Sequence, residues 1–163
     1  MTRRILLAVS TSRYSRHLVK TAISEAERLR EEGHEVCIDL LIVREREALE
    51  RVGQRVGDVG FLGLSPQKDV LEALGEEHDR MARRMGARVA EAAEQVGVAV
   101  ERTEVDGAFA ETVIEHAERL QSDLILLTRA DRPFISRILF GSDADTVARL
   151  ARKGGLGRVI IDE

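Results

Sequence analysis

Five runs of the chain, Ile5-Val9, Val36-Val43, Val98-Val105, Asp123-Thr128 and Arg158-Asp162, are dominated by aliphatic residues and read as strands. Between them apolar residues recur every three or four positions, the spacing that keeps them on one helical face. Leu18, Ala22, Ala26 and Leu29 predict a first helix, with Ser12 as its N-cap and Gly33 as its stop. Leu74, His78, Met81, Met85, Val89, Ala92 and Val96 predict a long second helix ending at Gly97. Ala110, Val113, Ile114, Ala117 and Leu120 give a third, and Ala144, Val147, Ala148 and Ala151 a fourth. Strand and helix therefore alternate throughout, the pattern of crossover units building a parallel sheet.

Right-handed crossovers then give an open five-stranded α/β sheet of order 3-2-1-4-5, Rossmann-like, with helices on both faces. Its crevice is expected at the carboxyl ends of strands one and four, where a small ligand would bind. One stretch lacks periodicity: Arg44 to Asp69 holds Gly53, Gly57, Gly60, Gly63 and Pro66 and is long for a βα connection. We read it as a partly ordered insertion. Its Val59, Phe61, Leu62 and Leu64 could cover the crevice, pack on a protein partner, or pack on their own domain.

At 163 residues the chain predicts one domain, 1–163, able to bury roughly 70% of its unfolded surface. A hydrophobic share of 44% against 33% charged excludes a disordered chain, and no apolar run approaches the length of a membrane span. Arg3-Arg4 before Ile5-Val9 imitates a secretory signal, but the apolar part is too short for one. Cys37 is the only cysteine, so no intrachain disulfide can form and the cytoplasm is the expected location. A net charge of −4, with 25 basic residues interleaved among 29 acidic ones, argues against nucleic acid as a partner.

Candidate chemistry is sparse. No Gly-rich loop ends in Gly-Lys-Ser/Thr, which excludes a P-loop, and Gly155-Leu156-Gly157 lies between a helix and a strand, the reverse of the dinucleotide order. His17, His34, His78 and His116 are too far apart in sequence for a local metal-ligand pair, so no metal site is predicted. His78 falls on the apolar stripe of helix two, where a packed histidine is expected. Arg80, Arg83, Arg84 and Arg88 meet Glu76, Glu77 and Asp79 at helical spacings and read as a solvated face. Gly141-Ser142 stands before helix four, where helix amides could hold an anion or the serine could simply cap. Thr128, Arg129 and Arg132 leave the end of strand four and would rim the crevice. Asp131, Asp143 and Asp145 would hold a cation or, more simply, place negative charge at a helix N-terminus.

Taken in order, several stretches resemble the universal stress protein family over nearly the whole chain outside 44–69. They are Ile5-Val9 followed by Ser12 and an amphipathic helix, Asp39-Leu40-Leu41-Ile42-Val43, Val105-Asp106-Gly107 and Asp123-Leu124-Ile125-Leu126-Leu127. Ser136-Arg137-Ile138-Leu139-Phe140-Gly141-Ser142-Asp143-Ala144, Val147, Ala151 and Val159-Ile160-Ile161 complete the match. The resemblance implies the 3-2-1-4-5 sheet, a cytoplasmic homodimer and a regulatory role in stress tolerance. Many members bind ATP through Gly-x2-Gly-x9-Gly-Ser/Thr. Counting back from Gly141-Ser142 places Asp131 and Thr128 at the two earlier glycines, and Ser10 at the usual aspartate after strand one. Gly141, Ser142 and Val43, which would lie beside the adenine, match.

The nucleotide-binding candidates are therefore Ser10, Val43, Thr128, Arg129, Arg132, Gly141 and Ser142, with Val159, Ile160 and Ile161 as the dimer strand. The reading is a non-catalytic stress-related regulator without the usual ATP site and with no other cofactor. The alternative is an ATP or AMP sensor with a divergent pocket. A hydrolase on the related adenine-nucleotide hydrolase fold is disfavoured, because the Ser-Gly-Gly-x-Asp-Ser loop such enzymes carry after strand one is missing.

Overall fold

A computed structural model describes residues 1–11, 13–45, 64–129 and 143–162. Among these, five strands form one all-parallel sheet of order β3-β2-β1-β4-β5. The strands are β1 (Thr2–Val9), β2 (Glu35–Arg44), β3 (Ala99–Asp106), β4 (Leu124–Thr128) and β5 (Arg158–Asp162), and the helices are α1 (Arg16–Glu31), α2 (Leu64–Gln95), α3 (Phe109–Leu120) and α4 (Asp143–Lys153).

Side chains alternate across each strand, so the sheet builds two cores. Ile5, Leu7 and Val9 of β1 pack with Ile38, Leu40 and Ile42 of β2 under α1 and α2. Leu6 and Ala8 pack with Leu41, Val43, Ile125 and Leu127 under α3 and α4. Coverage on both faces is why Ile5-Val9 reads as an unbroken apolar run with no polar alternation. Because α1 leaves β1 towards one face and α4 approaches from the other, the C-terminal ends of β1 and β4 diverge at the switch point.

Two boundaries differ from the sequence reading. The N-cap of α1 is Ser15, not Ser12: the Leu18 amide donates to Ser15 Oγ at 3.0 Å. Ser10 and Arg13 pair through their backbones at 3.2 and 3.0 Å, so the chain is still in a tight turn there and the helix cannot start until Arg16. The two serines are three residues apart, and either one suits the spacing.

Helix α2 begins at Leu64, inside the stretch expected to be a loop. Pro66 sits in its first turn, where the missing N–H would have had no helical partner, so the proline starts a helix instead of breaking one. Arg44 likewise belongs to β2. The remainder of the expected insertion, 46–63, lies outside the described residues.

The two edges of the sheet differ. Glu101, Arg102, Thr103 and Glu104 of β3 are exposed, a charged edge that discourages further strand pairing. Val159, Ile160 and Ile161 of β5 are half-buried against their own helices. Among the described residues no helix is long and apolar enough to cross a membrane.

Gly155 and Gly157 close the final turn for different reasons. Gly155 has φ +65, in the left-handed region, with open space around it. A Cβ on Gly157 would lie 2.3 Å from the Asp123 carbonyl oxygen, because β5 enters the sheet directly over the start of β4. Gly155→Ala is expected to cost about 1 kcal/mol, the left-handed penalty. Gly157→Ala is expected to cost more than ~2 kcal/mol, since main chain must move. Urea unfolding midpoints of the two variants check the order.

Candidate functional site

The C-terminal ends of β1, β2 and β3 converge on one buried cation. Arg13, in the turn after β1, is only 2% exposed. Its guanidinium lies 4.5 Å from the centre of the Phe109 ring at the N-terminus of α3. It also donates from Nη1 to Glu45, just past β2, at 2.6 Å. A charge so deeply buried persists only with a paired anion and close polarizable contacts, and Glu45 and the ring face supply both. Ser10 is buried beside this turn, and Val43 lies in the same core as Phe109. The structure thus gathers Ser10, Val43, Arg13, Glu45 and Phe109 at one mouth.

Thr128 and Arg129 mark a second cluster, at the ends of β4 and β5. The Thr128 hydroxyl donates to the Asp162 carbonyl at 2.8 Å. Arg129 forms a two-pronged pair with Asp145 of α4 at 3.0 and 3.1 Å. Asp145 thus faces a guanidinium from its place in the first turn of α4. The Asp162 carboxylate is buried and accepts from Ser15 Oγ at 3.1 Å, with His17 Nδ1 at 2.5 Å. His17 itself is 72% exposed. Arg132, Gly141 and Ser142 lie outside the described residues, as does Asp131, and the Asp143 side chain is not described.

Sequence spacing did not reveal Arg13, Phe109, Glu45, His17 or Asp162. Arg13 and Phe109 meet only through the parallel crossovers, and an arginine in a polar turn reads as solvated. The usable signal was the position after the first strand of a doubly wound sheet, beside the crevice at the strand ends.

Away from these mouths, Cys37, Asp39 and Glu101 bring three potential ligand atoms within 4.8 Å of one another. The Arg4 guanidinium is already among them, 2.5 Å from Asp39 and 2.8 Å from Glu101. That makes the group an ion-pair network. Burial pushes the Asp39 carboxyl above its ordinary range against the pull of Arg4, and burial also raises the Cys37 thiol, which keeps it protonated and unreactive.

The universal stress protein family model matches residues 1–153. This chain belongs to that family. Among solved structures, the universal stress protein UspA from Lactobacillus plantarum is similar with a TM-score of 0.64 and 18% identity, over 99% of this chain and 97% of that one. A universal stress protein in complex with cAMP gives 0.52 and 17%, over 99% and 96%. A family protein from Arabidopsis thaliana with AMP bound gives 0.51 and 13%, over 98% and 90%. At these identities the likeness shows the fold. No curated protein matches the chain in sequence.

His78, the packed histidine expected on helix two, is 2% exposed. Burial and the nearby Arg44 hold its pKa below the ordinary 6.5. The unfolded chain therefore takes up this proton first as pH falls. His78 adds no penalty above about pH 6.5 and lowers stability as pH drops from there towards its folded value. His78→Gln is expected to flatten the loss of stability with falling pH in that window, read from urea midpoints at a series of pH values.

Proposed function

We propose that this universal stress protein is a non-catalytic regulator that works through protein contacts as a cytoplasmic homodimer, without the ATP site many relatives carry. The observation that carries the reading is Arg13. Its guanidinium, fixed between Phe109 and Glu45, takes up the mouth beside Val43 where the resemblance would put an adenine. A ligand entering there would have to displace a buried ion pair, which is costly. Thr128 and Asp131 stand where glycines would let the main chain approach phosphate, and Asp131 adds negative charge.

A sensor of adenine nucleotides is the second reading. The relatives with cAMP and AMP bound favour it, as does the position of Arg129 at the end of β4. For the dimer, β5 supports the role better than β3, since its edge offers Val159, Ile160 and Ile161 in place of exposed charges. The 44–69 stretch is a further candidate surface for a protein partner. The buried, protonated Cys37 suits a reducing compartment.

Calorimetry with ATP, AMP and cAMP separates the two readings. No saturable binding is expected from the unmodified protein, and protein purified without added ligand should carry no nucleotide by mass spectrometry. Arg13→Ala combined with Thr128→Gly, Asp131→Gly and Asp143→Val is expected to create or strengthen binding. Tight ATP binding by the unmodified chain would establish the sensor instead. Ile160→Lys is expected to shift the dimer towards monomer in light scattering, and an unchanged dimer would move the interface elsewhere.

A further inference from the structure

His78 and His116 are buried, and His116 Nδ1 meets its own helix at the Thr112 carbonyl, 3.0 Å away. His17 is different in two respects at once. Its side chain is 72% exposed, yet Nδ1 is held 2.5 Å from Oδ1 of Asp162, whose own side chain is only 9% exposed. The other Asp162 oxygen accepts from Ser15 Oγ at 3.1 Å, and Ser15 is fixed as the N-cap of α1 by the Leu18 amide. The Asp162 main chain is tied down too. Its carbonyl accepts from the Thr128 hydroxyl at 2.8 Å and from the Arg129 amide at 3.3 Å. The carboxylate is therefore the fixed partner, and the ring takes its orientation from it.

An ionised carboxylate only accepts, so Nδ1 is the donor and the neutral ring keeps its lone pair on Nε2. With Nδ1 turned inward and most of the ring in solvent, that lone pair faces outward. When such a nitrogen forms a bond, positive charge develops on the ring, and a carboxylate at Nδ1 both orients the imidazole and stabilises that charge. The surroundings favour a dianionic group. The first turn of α1 holds no acidic residue, its N-terminus carries partial positive charge, and Lys20 is exposed three residues further along the same helical face. A metal ion fits less well, because both Asp162 oxygens are engaged and, among the described residues, potential ligand atoms gather at Cys37, Asp39 and Glu101 instead.

We propose that His17 Nε2, oriented by Asp162, is a modification site that accepts a phosphoryl group from donors of the phosphoramidate class. Nε2 attacks phosphorus, and the new N–P bond forms as the donor's own P–N bond breaks. The electron pair of the broken bond leaves on the amine, which then takes a proton from water. The ring keeps its Nδ1 proton as an imidazolium against Asp162, and nothing is oxidised or reduced. A phosphoryl group so placed brings close to two negative charges to the N-terminus of α1, where the helix dipole favours them. Asp162 is the positioning residue and His17 the one that reacts. The site uses none of the residues at the Arg13 mouth, so it stands whether or not a nucleotide binds there.

The test is reaction of the full-length protein with potassium phosphoramidate at neutral pH, followed by phosphorus NMR and by mass spectrometry of its peptides. N-acetylhistidine serves as the unassisted reference. The expected product is phosphorylated at His17 Nε2 and forms about tenfold faster than the adduct of N-acetylhistidine, the gain a charge-assisted hydrogen bond supplies. His17→Gln is expected to abolish it. Asp162→Asn leaves an oxygen to accept the Nδ1 proton but removes the charge, and is expected to slow His17 about tenfold while labelling of His34, the reference within the chain, stays as it was. Labelling of His17 no faster than N-acetylhistidine would overturn the proposal. So would an adduct on Nδ1, or a His17 rate unaffected by Asp162→Asn. Should Asp162→Asn fail to fold, the rate and the position of the adduct on the unmodified chain decide alone.

Discussion

Burial of β1 on both faces is the constraint from which the rest of this molecule follows. Ile5, Leu6, Leu7, Ala8 and Val9 are all inaccessible, with Ile5, Leu7 and Val9 in one core and Leu6 and Ala8 in the other. A strand in that position tolerates no charge along its middle, so ionic groups are displaced to its two ends. At the N-terminal end Arg4 pairs with Asp39 and Glu101, and Asp123 accepts from the Arg4 amide at 2.9 Å and from Arg3 at 2.6 Å. At the C-terminal end Ser10 turns the chain and Arg13 is drawn under it. The polar features of the protein are thus ordered by distance from the centre of one strand.

That ordering explains what could be read from the residues. Runs such as Val36-Val43 and Asp123-Thr128 announce buried parallel strands because nothing polar can interrupt them except where a partner waits, as Arg4 does for Asp39. The topology followed from the same alternation and the handedness of crossovers. Termini were harder. Ser12 and Ser15 offer the same local chemistry, and the backbone pairing of Ser10 with Arg13 decides between them, which no helical spacing reports. Pro66 carries opposite meanings at the first turn and in the interior of a helix, and only the position of Leu64 tells which applies.

The site was less legible than the fold because its contacts join residues that are neighbours only after two crossovers. Ser10, Val43, Thr128 and Arg129 were identifiable as strand-end positions, since any doubly wound sheet presents those ends to its crevice. What meets at those ends depends on side-chain reach. Arg13 meets Phe109 and Glu45 from three different strand ends, and in sequence each is an ordinary residue of a turn or a helix start. The family match has the same character. Solved relatives at identities of 13–18% share the fold over nearly the whole chain.

The two cationic devices at the sheet ends resolve their electrostatics differently. Arg4 lies among carboxylates at the N-terminal end, part-exposed, where solvent shares the load and the pair holds β1, β2 and β3 together. Arg13 is removed from water, paired with Glu45 and set against an aromatic face, so its charge is met inside the protein. A guanidinium held this way is committed to an internal contact that joins the ends of β1 and β2 to the start of α3. At both ends of the sheet, charge thereby ties neighbouring strand ends together, with the apolar run of β1 between them.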